Sequence, residues 1–204
     1  MMSSTANDNP DAHKRLPIYN LQGTHYEYSV KLGQLIKDRV AERLKKESKD
    51  LKPLFEFIKT DEGLKYFNAY TTTIQKEYPW YYDELKGLSD GTGEALNKIL
   101  VLNYKNELKA AHDSYQKKHT DEQSRSGCST VCLNRLNNEE HLLYIAHNED
   151  ESDANWNTSF ILQANIKSSV YRIDGSDEQK TSPNERFIAF TYAGQLAGKY
   201  EIFS

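Results

Sequence analysis

The chain has 204 residues, a net charge of −4, a pI of about 5.9 and a mean hydropathy of −0.81. That length fits one ordinary domain or two small ones, and the acidic balance argues against a nucleic-acid surface. There is no run of about 18 apolar residues to cross a membrane, and the 2 cysteines, Cys128 and Cys132, are too close on one strand to staple a fold, so a reducing, cytoplasmic setting is the simplest expectation.

Residues 1–15 are rich in Ser, Asn, Asp and Ala, which predicts a disordered leader without the apolar segment of a secretory signal. Leu16 to Leu21 reads as a short strand closing at Gly23. Thr24 with Glu27 three residues on is a capping-box pattern. The helix it opens is predicted to run to about Lys49. Tyr28, Leu32, Leu35, Ile36, Val40 and Leu44 form its apolar stripe, and its charged remainder reads as solvated. Lys45, Lys46 and Lys49 suit a helix C-terminal end. Further helices are predicted from near Leu51 and from near Asp61, the latter ending before Tyr78-Pro79, because proline restricts the residue before it. Trp80, Tyr81 and Tyr82 follow as core or pocket wall. Asp90-Gly91-Thr92-Gly93 reads as a helix-linking turn; it lacks the Gly-Lys-Ser/Thr ending of a phosphate loop. Ala95 to Leu108 resumes a helical pattern, and His112 to Arg125 has the composition of an exposed loop.

At Cys128 the periodicity changes from helix to strand. Cys128–Leu133 and His141–His147 read as a hairpin about an Asn137-Asn138 turn. Ser159–Ile166, Ser169–Ile173 and Arg186–Tyr192 are further predicted strands, with a polar loop over Asp174–Pro183, and together they predict an antiparallel sheet. The fold class is therefore α+β, with a leader over 1–15, a helical segment over 16–127 and a β-rich segment over 128–204. The Gly127-Cys128 pair at the junction has the residue types needed for a chain that cuts itself. Cleavage there makes Cys128 a new N-terminus, whose α-amine, with an ordinary pKa of about 8, can activate its own thiol. Cys132, four residues on, reads as core. His141, His147, Glu149 and Asp150 match no standard zinc spacing, so neither metal nor cofactor is expected.

Several segments resemble the acyl-coenzyme A:isopenicillin-N acyltransferase family of N-terminal nucleophile hydrolases. They are Gly23-Thr24-His25-Tyr26 with Gly33; Tyr78-Pro79 with Glu84-Leu85-Lys86-Gly87-Leu88 and Asp90-Gly91-Thr92-Gly93; Gly127-Cys128-Ser129-Thr130; His147-Asn148-Glu149-Asp150; and, more weakly, Tyr192 to Gly198. The likeness lies nearest the insect members that act on β-alanyl-dopamine and β-alanyl-histamine. It implies an αββα sandwich, incomplete here, preceded by a helical segment that becomes a small subunit over the pocket. It implies Cys128 as nucleophile, Asp150 holding its amine or thiol, and Asn148 beside them. His147, where relatives often carry Arg or Gln, and Ser129 are implied as substrate contacts. The implied partners are a small-molecule amide and the chain's own cleaved N-terminal segment, with a homo-oligomer a further expectation. The family sheet continues past the position of Ser204, so the alternative expectation is a truncated, non-catalytic form that acts by pairing with another protein.

Overall fold

The computed structural model describes residues 16–116, 128–136, 141–148, 153–173, 177–197 and 201–203. The first element is strand β1, Ile18–Gly23. Thr24 then caps helix α1, His25–Lys46, and the box is complete: the Thr24 hydroxyl accepts from the Glu27 N–H, and the Glu27 carboxylate accepts from the Thr24 N–H. Helix α2, Ser48–Phe57, and helix α3, Asp61–Glu77, follow. Tyr78 ends α3, and Pro79 opens helix α4, Pro79–Thr92, where its missing N–H costs nothing. Helices α5, Leu96–Asn103, and α6, Lys105–Tyr115, complete the helical part.

Helix α1 buries Tyr28, Leu32, Ile36 and Val40, a straight row at every fourth residue. Leu35 lies off that row and is exposed, against its place in the predicted stripe. The predicted turn at 90–93 is also corrected. Residues 90–92 are the last turn of α4, and only Gly93, at φ 76°, leaves the helix as a left-handed cap. The glycine that looked like a turn signal, Gly91, serves a different purpose. A Cβ there would lie 2.2 Å from the Val30 carbonyl oxygen, and one on Gly33 would lie 2.9 Å from the Gly91 Cα. At Gly87 it would lie 2.7 Å from the Tyr26 carbonyl oxygen. Helices α1 and α4 therefore cross backbone to backbone. Tyr26 donates to Asp90 (2.6 Å) and Ser29 to the Glu84 carbonyl (2.6 Å) along the same seam.

The main sheet has four strands in the order β1, β4 (Ser159–Ile166), β7 (Glu185–Tyr192), β8 (Glu201–Phe203). The pairs β4–β7 and β7–β8 are antiparallel, as expected, but β1 runs parallel to β4, with Tyr19 opposite Leu162. One face carries Tyr19, Leu21, Phe160, Leu162, Ala164, Ile166, Phe187 and Ala189 into the same apolar core as the helices. The other face presents Ile18, Asn20, Gln163, Asn165 and Ile188 to solvent. Strands β2 (Ser129–Leu136) and β3 (His141–Asn148) form a separate antiparallel hairpin. Strands β5 (Val170–Arg172) and β6 (Gln179–Thr181) form another, so part of the predicted 174–183 loop is strand. The predicted loop from His112 likewise begins later, because His112–Tyr115 closes α6.

Two turns are fastened to the far end of α1. Arg43 and Glu47, each about 2% exposed, pair at 2.8 Å, and Lys105 reaches the other Glu47 oxygen at 2.7 Å. Arg43 also donates to the Ala193 carbonyl (3.2 Å), Arg39 to that of Asn157 and Lys46 to that of Trp156 (2.8 Å). Asn103 accepts from the Leu196 N–H (3.0 Å) and donates to the Gly194 carbonyl (2.8 Å). The charged side of α1 is thus partly a buried clamp and not wholly the solvated surface that its pattern predicts.

Gly91→Ala is expected to lower unfolding free energy by about 2 kcal/mol, because the overlap with a backbone oxygen outweighs the better helix propensity of alanine. An unchanged urea midpoint would disprove the close crossing. Burial alone would raise the Glu47 carboxyl, but Arg43 and Lys105 hold it below its ordinary value of 4.5. Its stabilisation is therefore full above that value and is lost as pH falls through the lowered folded value. Melting curves of Glu47→Gln should show a shallower acid-side loss than wild type, from a lower starting stability.

Candidate functional site

The hairpin brings together most of the residues singled out in the sequence. Ser129 pairs with Asn148 and Thr130 with His147, so Cys128, one residue before β2, stands at the end of the hairpin where β3 finishes. Cys128, Ser129 and Asn148 are exposed and His147 is half-buried. The Thr130 hydroxyl and His147 Nδ1 lie 2.7 Å apart, which fixes the imidazole across the ladder. A thiol, a histidine and an amide thus share one open strand end. Gly127 and Asp150 lie outside the described residues. Cys132, expected in the core, is exposed instead. It stands opposite Ile145 in the register, and among the described residues β2 pairs with β3 alone. Val131, Leu133 and Tyr144 are more than half exposed on the same hairpin, at 53%, 59% and 54%.

A second constellation gave no functional signal in the sequence, although its residues lie in the matched segments. His25, in the first turn of α1, places Nδ1 2.5 Å from a Glu84 oxygen on α4, and both side chains are buried. Burial pushes the Glu84 carboxyl above its ordinary value of 4.5, while the hydrogen bonds from His25 and Tyr28 pull the other way and lose. The His25 ring sits among Tyr28, Trp80 and Tyr81, with centroids 6.5, 6.5 and 6.0 Å away. Trp80 in turn packs on Tyr171 of β5 at 6.3 Å. Trp80 and Tyr81, read in the sequence as core or pocket wall, therefore stand against a buried acid–imidazole pair. The signal for the pair itself is subtle: a histidine beside a helix cap and a glutamate on the buried face of α4.

Between α3, α4 and the β5–β6 hairpin lies a groove of about 670 Å³. Its walls include Pro79, Tyr82 and Tyr171, and the Lys180–Glu77 ion pair (2.9 Å) ties the hairpin to α3 beside it. Among the described residues no cluster of His, Cys, Asp and Glu is placed to hold a metal ion, and no helix is long and apolar enough to cross a membrane.

No protein-family model matches the chain. The chain is similar to the β-alanyl-dopamine/carcinine hydrolase of Drosophila melanogaster, with 25% identity over 188 residues. The match takes in 90% of this chain and 44% of that protein, so the chain spans less than half of its relative's length. The two are related along almost all of the residues described above.

Because Glu84 binds its proton more tightly folded than unfolded, the stability it contributes is full below its ordinary value of 4.5 and is lost as pH rises through the raised folded value. Glu84→Gln keeps a neutral partner for His25 and removes that titration. The stability of wild type relative to Glu84→Gln, from urea midpoints, should fall as pH rises above the ordinary carboxyl value of 4.5. A rise there would mean that His25 holds the carboxylate ionised.

Proposed function

We propose that the chain is the self-processing, nucleophile-bearing part of a cysteine amidohydrolase or acyltransferase acting on N-β-alanyl amides of biogenic amines. The observation that carries this reading is the similarity to the fly β-alanyl-dopamine/carcinine hydrolase, which extends over 90% of the chain and includes the segment around Cys128. The exposed Cys128 at a strand end beside Asn148 and His147 supports it.

In this reading the peptide bond between Gly127 and Cys128 is cut, and the α-amine of Cys128 becomes the base for its own thiol. The thiol proton passes to that amine as sulfur attacks the amide carbonyl. The proton then goes to the departing biogenic amine, leaving the β-alanyl group as a thioester. Water, or a second amine, attacks the thioester and restores the thiol. Asp150 holds the Cys128 amine or thiol, Asn148 lies beside it and supports the site, and Ser129 and His147 contact the substrate. Neither metal nor cofactor enters any step. Residues 16–127 act as the small helical subunit and residues 128–204 open the catalytic one, in a cytoplasmic enzyme. The αββα arrangement is part of the same proposal: it covers both the exposed apolar hairpin and the solvent-facing side of the four-stranded sheet with a second sheet layer.

Intact mass of the purified protein beside Cys128→Ala tests the processing. Wild type should give two fragments parted between Gly127 and Cys128, while the variant stays whole. Iodoacetamide should abolish hydrolysis of N-β-alanyl-dopamine. Activity that persists after complete alkylation of Cys128 would sink the mechanism, and an active wild type of undivided mass would sink the processing step. Absence of hydrolysis altogether would sink the substrate assignment.

A further inference from the structure

Self-cleavage has a proton requirement that later turnover does not. While Gly127 and Cys128 are still joined, the Cys128 nitrogen is an amide and cannot act as a base. The α-amine that activates the thiol in later cycles does not yet exist. The first cut therefore needs a proton acceptor from elsewhere in the chain.

The hairpin register places one near the thiol. Thr130 stands opposite His147, and the Thr130 hydroxyl lies 2.7 Å from His147 Nδ1, so both side chains are on one face. Cys128 is two positions before Thr130, and side chains two apart along a strand share a face. Cys128 is thus a diagonal neighbour of His147 across the ladder. Diagonal neighbours lie about 7–8 Å apart, within reach of a ring, directly or through one water. Ser129 and Asn148 form the intervening pair, on the other face. Neither they nor Thr130 carry a group that takes up a proton at neutral pH, whereas imidazole does.

On the processing reading given above, we infer that His147 is the base of the first cut and that Thr130 is the residue that positions it. With Nδ1–H donating to the Thr130 hydroxyl, Nε2 is the proton acceptor, and the same bond persists in the doubly protonated ring. The thiol proton passes to Nε2 as Sγ attacks the Gly127 carbonyl carbon. The ring then gives that proton to the Cys128 nitrogen as the carbon–nitrogen bond breaks. The products are a thioester between Gly127 and Sγ and a free α-amine on Cys128. Water attacks the thioester and its oxygen stays on Gly127. One water proton goes to the departing sulfur, and the other is released as the Gly127 carboxylate forms. From then on the α-amine is present, so the two stages use different bases.

The full chain, made by cell-free translation and sampled over time by intact mass, gives the rate of the cut. Wild type should divide into two fragments, and Cys128→Ala should stay whole. His147→Gln can still hydrogen-bond Thr130 but takes up no proton. It should divide about a hundredfold more slowly, at the lower end of general-base effects. His147→Ala should be as slow, and added imidazole should speed it while leaving Cys128→Ala whole. Thr130→Val should slow the cut about fivefold, the scale of one hydrogen bond, and Thr130→Ser should keep the wild-type rate. Thr130 is exposed and His147 half-buried, so the uncut variants should share the melting temperature of Cys128→Ala. Wild-type rates in both His147 variants, or a slow His147→Ala that imidazole does not speed, would overturn the role of His147. Thr130→Ser as slow as Thr130→Val would overturn that of Thr130. A wild-type chain that stays whole would overturn both, together with the processing step. Hydrolysis of a β-alanyl amide does not enter the readout, so a wrong substrate assignment alone changes none of these outcomes.

Discussion

Val30 on α1 and Gly91 on α4 meet backbone to backbone, and the crossing leaves no room for a side chain. Gly33 and Gly87 extend that contact along the seam. Close approach gives the two helices a long shared surface, and polar bonds then fix their register: Tyr26 to Asp90, Ser29 to the Glu84 carbonyl, and His25 to the Glu84 side chain. Much else follows from this pair. Helix α1 packs against β1 and β4, with Leu32 and Ile36 in the core they share, and α4 places Trp80 and Tyr82 beside the β5–β6 hairpin. A shift at the crossing would move both the core and the groove.

The buried polar groups are placed where apolar packing alone would leave orientation loose. His25–Glu84 closes one end of the α1–α4 seam; at the other end of α1, the Arg43–Glu47–Lys105 group meets the turn at Ala193, and Arg39 and Lys46 hold the turn at 156–157. Neither group is a cheap source of stability, since charges taken from water are costly even when paired. What they add is direction. Arg43 reaches a carbonyl 150 positions away in the chain, and Lys46 one 110 positions away, so each ties helix to sheet at a defined point.

Local patterns were readable where local chemistry decides the outcome. The Thr24–Glu27 capping box, the stop at Tyr78-Pro79 and strand β4 over Ser159–Ile166 all lie where composition and spacing place them. Features set by distant partners were not readable. Gly91 has the same appearance in a turn and in a tight helix crossing, and only the presence of Val30 opposite distinguishes the two. The parallel pairing of β1 with β4 joins strands about 140 residues apart, which no local pattern encodes. Cys132 carries the preference of a buried thiol but is exposed on the β2–β3 hairpin. In the candidate site, the hairpin pattern was enough to bring Cys128 beside Asn148, because strand pairing is itself local there. The His25–Glu84 pair joins residues 59 positions apart on two helices, and the subtle local signals at each do not encode their meeting.

The distribution of burial bears on how the two polar centres can be interrogated. Glu84 is packed inside the seam that sets the fold, so a loss of function on changing it would confound chemistry with structure. Cys128 and Asn148 are exposed, on an element whose described contacts are chiefly its own ladder. Elements with few buried apolar contacts lie at the low end of local stability, and substitutions there cost the global fold little. A change in chemistry at Cys128 can therefore be read as chemistry, which is the property that makes a cysteine at an open strand end, and not the more deeply buried histidine–glutamate pair, the centre to test first.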